Sequence, residues 1–437
     1  MGYLAIMIGI ATLITLSMFN MQVTVTAFSA AFVVTLIAGL PFTDTLTNVF
    51  FTRFGAIAGQ FFPLFFFGAI LAKLYSHSGA ASSIAEAISN ALFKRATTEK
   101  RKYALGFLSV IISAAVLCYG GINAGVVLVA IYPIALNIFK RAGIPKRFII
   151  GAITGGAFTF ALAGPGSPQP TNVIAMSILG TGSTVGLVAG VIGSVVQIVM
   201  MVLIYTLWCA RATANGETFV AGPKDNFLTL EVEPPKFLLS MLPLAILLIV
   251  FNILQVNISL AILLTVVISG FLFFPKLGRG KIVTSISEGA TVALQLTCAL
   301  ASINGFAAVI QSTAEYQNII DGILGATMHP ALLLMLCVAF ICMLTGGSAT
   351  GLQITLSSIA PTLVDMGLSL PFIHRVGAFA SVTMDSVPNS GAIIMAMNYA
   401  DLKMKDGYPP VIATDFGAQV VGLIVVAFIM TAFPNLP

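Results

Sequence analysis

Between Phe148 and Ala210 the chain carries no charged residue, and in the middle of that run stands Ala163-Gly-Pro-Gly-Ser-Pro-Gln-Pro-Thr171, followed by Asn172. Prolines at this density cannot continue a helix, because each lacks an N–H and clashes with the preceding turn. In lipid, freed backbone groups survive only where protein buries them or a polar cavity receives them. One more stretch of this kind occurs, Asp385-Ser-Val-Pro-Asn-Ser-Gly391. A pair of proline-broken segments in corresponding places of two halves points to a binding site near the middle of a membrane.

The surrounding composition supports a membrane setting. Of 437 residues 58% are hydrophobic and 8% are charged, against roughly 25% charged in soluble domains. The formal charge of +5 comes from basic residues confined to short stretches, so it reports orientation in the bilayer and no nucleic-acid partner. Cys118, Cys209, Cys298, Cys337 and Cys342 are odd in number and unclustered, which implies neither a disulfide framework nor a metal site. The expected fold class is an all-α polytopic membrane protein.

Taken in order, spans are expected at about 3–19, 23–40 and 54–75, then an interfacial helix at 80–95 with a polar face. Residues 103–139 are apolar except for Gly120-Gly-Ile-Asn123-Ala-Gly125 at their centre. The arm 103–118 would reach about 24 Å, short of a hydrocarbon core of roughly 30 Å, which favours a re-entrant hairpin over two full spans. A broken helix at 148–179 and an intact span at about 184–209 follow. The mixed-charge segment 211–236 reads as a cytoplasmic linker. The second half repeats the order: spans at about 237–253, 258–274 and 289–311, a hairpin at 331–364 around Gly346-Gly-Ser-Ala-Thr-Gly351, a broken helix at 371–400, and a last span at about 411–433.

The two halves, 1–210 and 237–437, align through Gly121 with Gly347, Gly143 with Gly367, and the Pro-Thr-Asn and Pro-Asn-Ser breaks. Five full spans plus one returning hairpin per half would invert the second copy. With the cluster Lys94 to Lys102 cytoplasmic, 18 of the 20 basic residues fall inside, leaving Arg53 and Arg375 outside and both termini external. The hairpins then enter from opposite sides and their tips meet.

Few groups in such a chain can carry chemistry. Asp385 is the one carboxylate expected deep in a span, as a proton acceptor, a sodium ligand or the cap of the half-helix after Pro388. Glu288 and Asp415 are placed at wetted span ends, and His77, His329 and His374 near interfaces. The polar groups Asn123, Ser167, Thr171, Asn172, Ser348, Thr350, Ser386, Asn389 and Ser390 concentrate at the four irregular points. Half-helices starting near Thr171 and Ser390 would aim N–H groups at one locus, a receptor for a carboxylate. Oxygens of Asn123, Asp385 and Asn389 are candidate ligands for sodium beside it. No Lys or Arg is expected deep in the membrane, so the substrate is read as a small organic anion of low charge, such as a monocarboxylate, with dicarboxylates as the alternative. The coupling ion is a proton or sodium, with no other cofactor. An intramembrane enzyme is disfavoured: H-E-x-x-H is missing, and Gly346-Gly-Ser-Ala-Thr350 fails G-x-S-x-G at its last position. A channel is disfavoured because hairpins entering from opposite sides would block a continuous pore.

These residues carry a family resemblance. Phe67-Gly-Ala-Ile-Leu-Ala-Lys73 with Ser78-Gly79-Ala80, Pro168-Gln-Pro-Thr171 before Asn172-Val-Ile-Ala175, Gly347-Ser-Ala-Thr350 before Ile359-Ala-Pro361, and Asp385 with the following proline and glycine resemble the gluconate permease (GntP) family of the ion transporter superfamily. The similarity runs over nearly the whole length. It implies a secondary active symporter for organic acids such as gluconate or 3-hydroxybutyrate, usually proton-coupled and dimeric, resident in the plasma (inner) membrane. It also implies an elevator mechanism, in which hairpins and broken helices move against a scaffold. A citrate-like di- or tricarboxylate substrate is the alternative. The chain departs from the family pattern at Tyr119-Gly120-Gly121, where an aromatic-acidic pair is typical, and at Gly166-Ser-Pro-Gln169, where a histidine is typical. Both departures favour a smaller hydroxy acid or short-chain carboxylate over a sugar acid.

Overall fold

The computed structural model describes the whole chain except residues 1, 20, 95, 223, 224, 226–232, 317, 319–321, 323–327, 389 and 437. Asn389 and residues 223, 224 and 226–232 of the expected 211–236 linker therefore lie outside the described residues. Among the described residues the regular structure is helical, without strands. Among the described residues seven helices are long and apolar enough to cross a membrane, and several shorter apolar ones accompany them.

The first half comprises α1 (Gly2–Met18), α2 (Val23–Ile37), α3 (Phe42–Ser78, opening with a π-helical stretch at Thr45–Phe51), α4 (Ala80–Phe93), α5 (Glu99–Tyr119), α6 (Ala124–Ala142), α7 (Ile149–Ala157), the single turn α8 (Phe160–Ala163), α9 (Pro170–Leu179) and α10 (Leu187–Ala214). The second comprises α11 (Phe237–Asn252), α12 (Ile258–Gln311), α13 (Pro330–Thr345), α14 (Ser348–Asp365), α15 (Leu370–Ser381), α16 (Gly391–Tyr399) and α17 (Met404–Ala432, with a π-helical stretch at Ala413–Ala418).

Local sequence explains most boundaries. Thr98 caps α5 by accepting from the Arg101 N–H, and Ser369 caps α15 by accepting from the Phe372 N–H, each cap contributing about 1 kcal/mol. Gly79 and Gly143 end α3 and α6 in the left-handed region, where a side chain would be strained. Pro170, Pro330 and Pro371 open α9, α13 and α15, where a missing N–H costs nothing.

Three boundaries differ from expectation. The arm expected to begin at 103 begins at Glu99, and its added turn is the charged Glu-Lys-Arg-Lys. Spans expected at 258–274 and 289–311 form one helical run broken only at Gly278, whose φ of 61° marks the kink beside Lys276, Arg279 and Lys281. The helix expected in the interface, α4, buries Ala80–Ala85 and Ser89 and packs on α5, α6 and α11. Its apolar side is thus satisfied by protein.

One continuous core runs through α3 and α12 and through the hairpins and broken helices, and a separate apolar cluster joins α1, α2, the start of α3 and the end of α12 through Ala5, Leu13, Ala30, Phe50 and Phe306. The longest contact runs between α3 and α12; α5 packs on α7 and α13 on α15, while α9 lies on α14 and α16 touches α6. Helices α10 and α17 pack along one another outside them. Gly156 of α7 faces the Ile111 carbonyl of α5 so closely that a Cβ there would collide with backbone.

Candidate substrate and cation site

The first break is a folded loop with its own hydrogen bonds. After α8, Gly164 is extended, and Gly166 at φ 74° turns the chain so that its N–H donates to the Ser183 carbonyl at 2.8 Å. Ser167 Oγ donates to the Ala161 carbonyl at 2.6 Å and accepts from the Gln169 N–H at 3.3 Å. Pro170 then starts α9, with Thr171 buried behind it. Asn172 is fully enclosed. Its amide nitrogen donates to the carbonyls of Ser167 at 2.9 Å and Ser183 at 3.3 Å, and its oxygen pairs with His374 Nε2 at 2.9 Å and accepts from Arg375 Nη1 at 3.3 Å.

Arg375 and His374, to which the sequence reading gave no buried role, are enclosed at the first break. Both are 0% exposed. Arg375 donates from Nε to the Val185 carbonyl at 2.9 Å, from Nη2 to the Ser183 carbonyl at 3.3 Å, and from Nη1 to the Ala163 carbonyl. His374 Nδ1 pairs with Thr181 Oγ1 at 2.6 Å. A guanidinium can be buried here because the broken backbone offers carbonyls that no helix uses, and charge-assisted bonds to them offset its desolvation. The available signal was a lone arginine in a run otherwise free of charge from Met366 to Met384.

Each break is tied to a hairpin tip. Gln169 Nε2 donates to the carbonyls of Cys118 at 2.6 Å and Ile122 at 3.0 Å, at the turn between α5 and α6. Sequence reasoning passed over this residue because a glutamine among prolines carries no motif. Asn123 caps α6 by accepting from the Gly125 N–H at 3.0 Å. In the second half, Ser390 Oγ donates to the Gly346 carbonyl at 3.1 Å, at the turn between α13 and α14. Gly346 has a φ of 64°, and the Ser390 backbone passes directly beside it. Ser348 and Thr350 occupy the first turn of α14 and are buried.

Two small cavities adjoin these points. One, of about 20 Å³, is lined by Gly121, Asn123, Pro168, Gln169 and Pro170 on one side and by Leu64 to Ala69, Ile262 and Leu296 of α3 and α12 on the other. The second, of about 110 Å³, is lined by Thr383, Ser386, Tyr408, Asp415 and neighbouring apolar side chains. Asp385, next to Ser386 in the chain, accepts from Ser386 Oγ at 3.2 Å, and the Ser348 hydroxyl also neighbours it.

Asp415 corrects the sequence reading. Expected at a wetted span end, it is 1% exposed, because α17 begins at Met404 and carries position 415 three turns into the bundle. Its Oδ1 accepts from Thr414 Oγ1 at 3.1 Å, and Thr154 and Ser386 hydroxyls neighbour it. Glu288, by contrast, stays partly wetted and pairs with Lys73 at 2.7 Å.

The structure thus brings Asn123, Ser167 and Thr171 to the first break and its hairpin tip, and Ser348, Asp385, Ser386 and Ser390 to the second. Thr350 lies in the first turn of α14, which packs on α9. Asn172 is spent on bracing the first break. Helices interrupted within an apolar bundle, with polar tips held against the interruptions, define a polytopic membrane transporter.

Comparison with known proteins names the family. The GntP family permease profile matches residues 1–432, and the chain belongs to that family. It is 27% identical over 419 residues to an uncharacterized transporter, YxjC, of Bacillus subtilis strain 168, with 86% of each chain covered. It is 23% identical over 303 residues to an uncharacterized transporter of Haemophilus influenzae, covering 69% of this chain and 68% of that one. Among solved structures, the YdaH transporter of Alcanivorax borkumensis superposes with a TM-score of 0.55 over 88% of each chain at 16% identity, a likeness of fold. The protein is a membrane transporter and not an enzyme.

Proposed function

We propose that this permease is a secondary active symporter that couples a proton or sodium gradient to uptake of a small organic acid anion, a monocarboxylate or hydroxy acid such as 3-hydroxybutyrate or gluconate. One observation carries the reading. Each half-helix N-terminus is bonded to a hairpin tip, by Gln169 at the first break and by Ser390 at the second. Free N–H groups at the starts of α9 and α16, with the nearby Arg375 charge, suit a carboxylate. Asn123, Thr171 and Thr350 are proposed as its polar contacts, with Asn172, Ser167 and Arg375 holding the loop in shape.

The first cavity lies between the break and the α3–α12 pair. That position favours an elevator mechanism, in which the hairpins and broken helices carry the substrate past a scaffold of α1–α3, α11 and α12. The matching contacts within each half, α5 with α7 and α13 with α15, support two inverted repeats at 1–210 and 237–437. Residence in the plasma membrane with both termini external, and assembly as a homodimer, complete the proposal. Asp385 is buried and, among the described residues, forms no salt bridge; it is the proposed coupling group. Any sodium ligands contributed by Asn389 lie outside the described residues.

A thermal-shift screen on purified protein tests the substrate class. Three- to six-carbon monocarboxylates and hydroxy acids should raise the melting temperature, whereas citrate and succinate should not. Stabilisation by the di- and tricarboxylates alone would reverse the substrate assignment.

A further inference from the structure

Asp415 is a second buried carboxylate in the region where Asp385 has been proposed to couple transport, and the mechanism so far leaves it unused. It sits in the π-helical stretch Ala413–Ala418 of α17 and is 1% exposed. One oxygen, Oδ1, accepts from the Thr414 hydroxyl. The other, Oδ2, is buried with no hydrogen-bond partner, although Asp415 lines the cavity of about 110 Å³ together with Ser386. Leaving such an atom unsatisfied is costly, and more so when the group is charged.

The surroundings offer oxygens and no positive charge. Ser386 lies between the two acids, donating to Asp385 Oδ1 at 3.2 Å and neighbouring Asp415. Ser348 stands beside Asp385, and Thr154 of α7 beside Asp415. The other ionisable groups facing the pair are acidic or neutral: the Tyr205 and Tyr408 phenols towards Asp415 and the Cys342 thiol towards Asp385. Tyr205 is itself held by the Pro410 carbonyl at 2.8 Å and Thr414 at 2.7 Å. No Lys, Arg or His among the described residues forms an ion pair with either acid. Two carboxylates in a low-dielectric site without a counter-cation cannot both stay ionised and empty. Carboxylates and hydroxyls are the donor set of a hard cation.

We propose that Asp385 and Asp415 form one composite site, bridged by Ser386, that takes up two positive charges in each transport cycle, either two protons or a sodium ion with one proton. The site joins the second break, the tip of α14, the α17 π-helical stretch and α7. Its occupancy therefore ties the second hairpin to the first broken helix. A cation that neutralises the pair lets the bundle cross the bilayer interior without bare charge.

The proposal rests on the symport reading and is tested by how steeply accumulation follows the gradient. Purified protein in liposomes, with membrane potential clamped at zero, is given a tenfold proton gradient, a tenfold sodium gradient, or both, and accumulation of a substrate found in the thermal-shift screen is read at steady state. Two coupled charges give about a hundredfold accumulation at equilibrium, and one gives about tenfold. Wild-type protein should reach a hundredfold with protons alone if the charges are two protons. If they are one of each, it should reach tenfold with either ion and a hundredfold with both. Asp415→Asn should fall to tenfold under the same conditions while still exchanging labelled for unlabelled substrate. Ser386→Ala, a smaller change that removes only the bridge, should raise the cation concentration for half-maximal uptake by about tenfold, and covers the case in which the Asp415 variant does not fold. Wild-type accumulation limited to tenfold with both gradients, or an Asp415→Asn variant as steep as wild type, overturns the two-carboxylate site and leaves single-site symport by Asp385 standing. No accumulation by wild type under any gradient overturns the symport reading as well.

Discussion

At the scale of single residues, the unusual object is Arg375. Its guanidinium replaces water with the carbonyl of Ala163 at the end of α8 and those of Ser183 and Val185 in the turn between α9 and α10, so charge and loops stabilise one another. Removing it leaves those buried acceptors bare, at about 1–3 kcal/mol each. Arg375→Gln should therefore lower the melting temperature of the purified protein sharply, and Asn172→Ala should do so to a smaller degree. Ser194→Ala should leave it within about 1 °C, since that hydroxyl only returns to its own helix at the Gly190 carbonyl. Equal melting temperatures for all three would remove the bracing role of the arginine. At the proposed contacts, Asn123→Ala should weaken substrate binding by about tenfold in a titration on purified protein, the size of one lost charge-assisted hydrogen bond. An unchanged Kd would take Asn123 out of the site.

Sequence was informative about these residues in proportion to how local their signal is. Asp385 stood out because a carboxylate beside a proline in an apolar run has few explanations. Arg375 and His374 did not, because their distance from a span end says nothing about which neighbours enclose them. Asp415 was misplaced for a related reason: hydropathy starts the last span near 411, whereas the Met404–Ile412 turns, polar but packed on α7, extend the helix inward.

Among the elements, the breaks were legible and the continuous ones less so. Three prolines in six residues specify an interruption at 165–170 wherever the segment sits. The basic turn at 276–281 resembles a loop, yet a single positive φ at Gly278 suffices to bend the chain there. Close packing between elements was not readable at all, since it depends on which helices meet. Gly156 is the clearest case: it lets α7 approach the backbone of α5 at Ile111. Gly156→Leu should push these helices apart and cost about 1–3 kcal/mol, as overpacking typically does. The measurement is thermal unfolding with and without substrate. A variant as stable as wild type would mean that α5 and α7 separate freely, against the proposal that they move as one unit.

For the whole molecule, the proposed elevator would move the hairpins and broken helices against α3 and α12 to carry substrate between the sides of the membrane. Orientation follows from charge: a cysteine at Thr98, in protein lacking the native five, should be protected from an impermeant thiol reagent added outside intact cells. Labelling from outside would invert the assignment of each hairpin to its side. The central claim is cation-driven uptake of a small carboxylate, and its most direct test is accumulation by the wild-type protein alone in sealed liposomes. Uptake of a labelled hydroxy acid such as 3-hydroxybutyrate, or of gluconate, should rise above the external concentration when a proton or sodium gradient is imposed. It should collapse to equilibration when an ionophore dissipates that gradient. Uptake of these acids that merely equilibrates, with or without either gradient, would contradict it.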